Sequence, residues 1–252
     1  MSVQWYRKHM ILYTVLALLG VVILVVVTNL VIIARNGSVV AVPEIPRGET
    51  TVGQGKPLNY VILGDSTAVG QGGDYQKGIA VQTAAHIASK GRSVTYQNFA
   101  VSGARVSDVL TKQLSGAVEL KPDVVLISVG ANDLTHFTSL GSIKKDMQSI
   151  ISELRQVNPD CVIVITGTPQ MGTVLRFPQP AKYFAKIRTA QMNSMFGQLA
   201  TQNNLVFARI ADKTGATFGR NPNLFAPDKF HPNNDGYAVW IPFLNEAIDS
   251  AL

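Results

Sequence analysis

The chain of 252 residues has a single cysteine, Cys161, so no disulfide can close within it. Cys161 opens the run "CVIVIT" and reads as a small core residue. Charge is also scarce. Asp, Glu, Lys and Arg make up 15% of the residues against 46% hydrophobic ones, which excludes a disordered chain. No acidic residue precedes Glu44, and no charge of either sign falls between Met10 and Ala34. Arg7, Lys8 and Arg35 therefore supply half of the net +6, leaving 19 basic residues against 16 acidic ones for the rest. So even a balance gives no electrostatic footprint for nucleic acid. No G-x-x-x-x-G-K-[ST] string exists, which excludes a P-loop, and there is no internal repeat.

The uncharged run "MILYTVLALLGVVILVVVTNLVIIA" is what the first 35 residues do contain. As a helix rising ~1.5 Å per residue it crosses a ~30 Å hydrocarbon core. Trp5 and Tyr6 stand where interfacial aromatics stand. A cleaved signal peptide is the competing reading, but its apolar region is shorter, about 7–15 residues, and ends in an A-x-A-like site. We read residues 1–35 as a single-pass transmembrane anchor, with the N-terminus cytoplasmic and the bulk of the chain outside the cell membrane. Residues 36–57, rich in Gly and Pro, read as a linker. Residues 58–252 then form one domain.

In that domain short Val- and Ile-rich runs alternate with helix-like stretches. The runs are Leu58–Leu63, Val94–Ala100, Val124–Val129, Val162–Thr166 and Leu205–Ile210. Strands covered on both faces have this composition. Between them lie Ile79–Lys90, Val106–Leu114, Ser139–Val157 and Ala181–Asn203, and a last helix is expected near Asn233–Ala251, kinked at Pro242 or starting later. Alternating β and α predicts an α/β fold with a parallel sheet and helices on both faces. Ligands bind such sheets at the carboxyl ends of the strands. Three runs end there in polar turns: Gly64-Asp65-Ser66, Ser102-Gly103-Ala104 and Gly130-Ala131-Asn132-Asp133.

Ser66 stands where a dinucleotide fingerprint needs its second glycine, and Gly64-x-Ser66-x-Ala68 only approaches the G-x-S-x-G elbow. On these residues alone, a helix-capping serine competes with a nucleophile. A nucleophile needs a base. His86 is mid-helix in "TAAHIAS", and nothing beside His136 would orient its ring. His231 in "APDKFHPNNDGY" has Asp228 three residues earlier, so one turn can bring a carboxylate to one ring nitrogen while the other faces a serine. Asp65 and Asp133 read as turn and loop hydrogen-bonders.

Taken in order, "GDSTAVG", "NFAVSGARV", "VGAND" and "DKFHPN" resemble the four blocks of the SGNH/GDSL hydrolase family, over roughly Leu58–Leu252. The resemblance implies a three-layer α/β/α sandwich, flavodoxin-like, with five parallel strands in the order 2-1-3-4-5. It implies Ser66 as nucleophile, His231 as base and Asp228 as its orienting acid. The oxyanion hole would be the N–H groups of Ser66 and Gly103 and the side-chain amide of Asn132. No metal or cofactor is implied. The expected reaction is hydrolysis of a carboxylic ester, of lipid or of an acylated glycan, through an acyl-enzyme. An acyltransferase using the same intermediate, or a catalytically silent binding module, are the alternatives. Met171, Leu175 and Phe177, beyond the fourth strand, are candidate walls for an acyl group.

Overall fold

A computed structural model describes residues 3–35 and 38–252. The side chain of Trp5, and Asn36 and Gly37 at the start of the predicted linker, lie outside the described residues. Helix α1, Val3–Arg35, carries the apolar run. Within its Tyr6–Arg35 portion an 18-residue window has a mean hydropathy of 3.0, and the helix is long and apolar enough to cross a membrane, a property that a signal sequence shares.

The sheet has six strands: β1 Thr50–Val52, β2 Lys56–Gly64, β3 Arg92–Asn98, β4 Val124–Ser128, β5 Val162–Ile165 and β6 Val206–Phe207. Their order is β1-β3-β2-β4-β5-β6. The five strands from β2 onward are parallel and keep the predicted 2-1-3-4-5 order. The addition is β1, which pairs antiparallel with β3 and lies inside the stretch read as linker. Its formation depends on the open edge of β3, a partner no local pattern reveals. The first parallel strand also starts two residues early, at Lys56. β4 is buried along its whole length and β2 from Tyr60 on, as expected for strands with helices on both faces.

Helix α2 (Ser66–Val69) follows β2 directly, and α3 (Ile79–Ser89) follows it. After β3 comes a helical stretch of three parts: α4 Val106–Asp108, a π turn Val109–Gln113 and α5 Leu114–Glu119. Then come α6 Ala131–Thr135, α7 Leu140–Val157, α8 Ala181–Asn203, α9 Ile210–Arg220 and α10 Asn234–Asp249. α7 shows why these segments are helical. Ser139 caps it by accepting from the Ser142 N–H, and Ile143, Met147, Ile150, Ile151 and Leu154 form one buried stripe. α3 packs on α10 over one face of the sheet, and α7 packs on α5 and α8 over the other.

Two expectations shift. The fifth parallel strand shrinks to Val206–Phe207, because from Ile210 the chain turns into α9. And α10 does not start late: it begins at Asn234, capped by Asn233, and runs through Pro242.

Candidate active site

β2 delivers its last residue, Gly64, into close contact with β4. A Cβ there would meet the Ser128 carbonyl oxygen at 2.0 Å, and φ is +149°, so only glycine fits. The Asp65 N–H then donates to the Ser128 carbonyl at 2.9 Å. Asp65 caps α2, accepting from the Thr67 N–H at 2.9 Å and the Thr67 hydroxyl at 2.8 Å. Burial pushes its carboxyl up to about 6, against the two Thr67 bonds. Ser66 becomes the first residue of α2. The cap belongs to Asp65, which leaves the Ser66 hydroxyl available for another partner.

That partner is His231. Its Nε2 lies 2.9 Å from Ser66 Oγ, and its Nδ1 lies 2.6 Å from Asp228 Oδ2. The short segment that carries the pair folds back on itself. The Ala226 N–H donates to the His231 carbonyl at 2.8 Å, and Phe225 bridges Pro232. Asp228 Oδ1 accepts from the N–H groups of Phe230 and His231, at 3.0 and 3.1 Å. Burial pushes the Asp228 carboxyl up, but bonds from the His231 ring and then from these N–H groups outweigh it and hold it below the ordinary carboxylate range. An ionised carboxylate only accepts, so Nδ1 carries the ring proton and Nε2 is left to accept from Ser66. Gly72 makes room for the ring: a Cβ there would sit 2.8 Å from His231 Cβ and 2.4 Å from the Pro232 carbonyl oxygen.

The loops after β3 and β4 join the same edge. The Val101 N–H donates to the Gly64 carbonyl at 3.1 Å. Gly103 has a φ of +83°, which explains the glycine by conformation rather than by crowding, since its Cβ position is open. Asn132 Nδ2 donates to the Ala104 carbonyl at 3.0 Å, and Asp133 Oδ2 accepts from the Val106 N–H at 3.0 Å. Both tie the two loops together. Among the described residues, the N–H groups of Ser66 and Gly103 donate to no protein acceptor. Neither His86 nor His136 joins this cluster: the first pairs with Asp249, the second bonds the Asn132 carbonyl.

A cavity of about 30 Å³ lies beside Ser66 and His231, lined by Met171, Val174, Phe218, Phe230 and Trp240 among others. Of the three candidate acyl walls only Met171 borders it. Leu175 and Phe177 are half-buried against the core. Phe177 packs edge-on against Phe230, which in turn packs edge-on against the His231 ring.

Sequence reasoning missed Gln113. Buried at the end of the π turn, it clasps the backbone of Gly64 from both sides: Oε1 accepts the Gly64 N–H and Nε2 donates to the Gly64 carbonyl, each at 2.9 Å. The wider turn brings a helix side chain to the residue two before Ser66. The available signal was a polar residue on an otherwise buried face of "VLTKQLSGAV" with no partner in reach along the helix.

Residues 62–239 match the sequence model of the GDSL-like lipase/acylhydrolase family. The chain belongs to that family. A curated member, a GDSL-like esterase of Mycobacterium tuberculosis, is 26% identical over 211 residues, 77% of this chain. The chain spans 63% of that relative's length. Solved structures share the GDSL-like fold at lower identity. TesA superposes with a TM-score of 0.65 at 16% identity, covering 77% of this chain and 99% of its own. The phospholipase A1 of Streptomyces albidoflavus gives 0.57 at 21%, covering 75% and 98%. The esterase EstA of a Pseudoalteromonas species gives 0.60 at 16%, covering 76% and 97%.

Proposed function

We propose that this protein hydrolyses carboxylic esters, with Ser66, His231 and Asp228 as its catalytic triad. The observation that carries the reading is the unbroken pair of hydrogen bonds through the His231 ring, 2.9 Å to Ser66 and 2.6 Å to Asp228. In the reaction His231 Nε2 takes the Ser66 proton as Oγ bonds to the acyl carbon. The imidazolium that forms is stabilised by Asp228. His231 returns the proton to the departing alcohol oxygen as the ester bond breaks, which leaves an acyl-Ser66. Water then attacks by the same route in reverse, and the acid is released.

The carbonyl oxygen becomes an oxyanion in both tetrahedral steps. We assign its donors to the N–H groups of Ser66 and Gly103 and to the side-chain amide of Asn132. Support comes from the two backbone donors having no other acceptor among the described residues. Asn132 spends one amide hydrogen on Ala104 and keeps the second. Donors fixed before the reaction need no reorganisation when charge develops. Met171 is the acyl contact of this scheme, and Leu175 and Phe177 act by packing.

The substrate class that fits best is a lipid ester or an acylated glycan, with α1 as a single-pass anchor, residues 36–49 as tether and the remainder as an extracytoplasmic domain. The named activities of the relatives, esterase and phospholipase A1, agree with an ester substrate. A fluorophosphonate probe tests the centre of the proposal. It should bond covalently to the full chain and not to Ser66→Ala. Equal labelling of both proteins overturns the assignment.

A further inference from the structure

α8 packs behind one wall of the cavity at Ser66. The turn Met171–Thr173 lines that cavity and lies against α8, where a Cβ on Gly172 would meet Lys186 Cβ at 2.6 Å. The inner face of α8 is buried through Ala185, Thr189 and Met192. Its first two turns present the opposite to solvent: Tyr183 is 59%, Phe184 63% and Ile187 40% exposed. Two rings and an isoleucine on one short helical face are more apolar surface than a solvated helix needs.

The charges that α8 itself carries are of one sign: it holds Lys182, Lys186 and Arg188 and no acid, and Arg176 precedes it. Arg188 also donates to the Thr138 carbonyl. It thereby holds the loop of Phe137, which is 84% exposed, against the same helix. Aromatic rings flanked by Lys and Arg are the composition that lies in the headgroup layer of a bilayer.

The apolar helix α1 meets the segment that leads into this face. Asn29, two turns before the end of α1, donates through Nδ2 to the Gln179 carbonyl at 3.2 Å, immediately before α8. Asn29, Ile32 and Ile33 share one side of α1 and are half-buried, where most of that helix is bare. The part of the domain that touches the membrane-crossing helix is thus the part that carries exposed rings and basic residues.

We propose that the Tyr183–Phe184–Ile187 face of α8 lies on the anionic headgroup surface of the bilayer that holds α1, and so turns the Ser66 edge toward lipid. The inference rests on the anchor reading of α1. It selects an ester that resides at the lipid–water interface and reaches Ser66 from the membrane side.

A label on a new cysteine tests this in the full chain, because the native Cys161 is buried. Phe184→Cys reports on the face. Glu119→Cys, exposed at the end of α5 on the opposite edge of the sheet, is the control. Each is labelled with nitrobenzoxadiazole and reconstituted in phosphatidylcholine–phosphatidylglycerol vesicles doped with doxyl lipid. The label at 184 should lose at least about half its emission and the label at 119 almost none. Lys182→Glu with Lys186→Glu, or omission of phosphatidylglycerol, should weaken the quenching. A chain that floats with the vesicles but leaves both labels bright overturns the surface alone. Crosslinking between cysteines at 184 without lipid quenching gives the face to a second copy and also overturns it. A chain that does not float overturns the anchor and the surface together. Fluorophosphonate reactivity is read separately, so loss of the esterase reading leaves this result standing.

Discussion

His86 and His231 each share a hydrogen with a carboxylate, Asp249 at 2.8 Å and Asp228 at 2.6 Å. The first pair links α3 to the end of α10 at the surface. The Asp249 side chain is 39% exposed and also binds Lys90 at 3.0 Å. The Lys90 bond first, and the His86 bond after it, draw that carboxyl below its ordinary range. The Asp228 side chain is 3% exposed, no ion pair to a lysine or arginine is seen at it among the described residues, and the far nitrogen of its histidine faces a serine. The Asp–His contact does not make a base in either place. What distinguishes His231 is that, among the described residues, its carboxylate has no competing cation and that its second nitrogen, in the mechanism proposed above, has a serine to deprotonate.

The sharpest way to break this comparison is to remove each ring. His231→Ala should lower kcat by roughly 10⁴–10⁶-fold, the scale seen when a triad histidine is lost. His86→Ala should stay within about twofold, since it removes only an exposed pair. Steady-state ester hydrolysis decides, and comparable losses from both would dissolve the distinction.

The next effect is at the oxyanion. Asn132→Ala should lower kcat by ~10²–10³-fold and move KM much less, because the bond strengthens in the transition state. A well-folded variant with nearly unchanged kcat would remove Asn132 from the oxyanion hole.

Gln113 asks whether the serine side of the pair is as firmly held as the histidine side. Gln113→Leu leaves the Gly64 N–H buried without its partner, at a cost of about 1–3 kcal/mol in stability. If the clasp also aims Ser66, kcat should fall by about tenfold at unchanged KM in the protein that remains folded. Gln113→Glu, which keeps the acceptor and loses the donor, should fall between. A stability loss with normal kcat would limit Gln113 to the fold.

The smallest effect contrasts two buried acids. Asp228 is held low, so its contribution to stability is present above the ordinary carboxylate range and is lost as pH falls below it. Asp65 is pushed up to about 6. Its contribution is full below the unfolded value of ~3.9 and is lost as pH rises through about 6. Asp65→Asn keeps a capping oxygen. Melting curves between pH 4 and 7.5 should therefore show the wild type losing a few degrees relative to Asp65→Asn as pH rises. Parallel curves would place Asp65 within the ordinary range.

The parts legible in the sequence were those with local signatures. The five parallel strands announced themselves as Val- and Ile-rich runs, α7 as a stripe, and the Ser66 edge as polar turns after such runs. β1 was hidden because Thr-Thr-Val among glycines becomes a strand only when β3 offers an edge. α9 was hidden for a related reason: Gly215 interrupts its pattern, yet a Cβ there would sit 2.9 Å from Gln170 Cβ, so packing fills what propensity leaves weak. Gln113 was hidden because its partner is a backbone 49 residues away in sequence. Leu175 and Phe177 were candidate acyl walls on hydrophobicity and on their place beyond the fourth strand, two signals that do not say which of them borders the cavity.

β1 has a mechanical consequence. On the anchored reading, a pull arriving from α1 first meets the Val40 carbonyl, bonded by the Gln71 side-chain amide at 3.2 Å, and Ile45, packed against the core, and then Thr50–Val52. Three residues paired to one neighbour hold there, whereas β2 behind it is gripped on both sides by β3 and β4. Once those contacts part, β1 comes away before β2, and each residue it frees lengthens the leash by about 3.3–3.6 Å. The chain would therefore yield at β1 ahead of the strand that leads to Ser66.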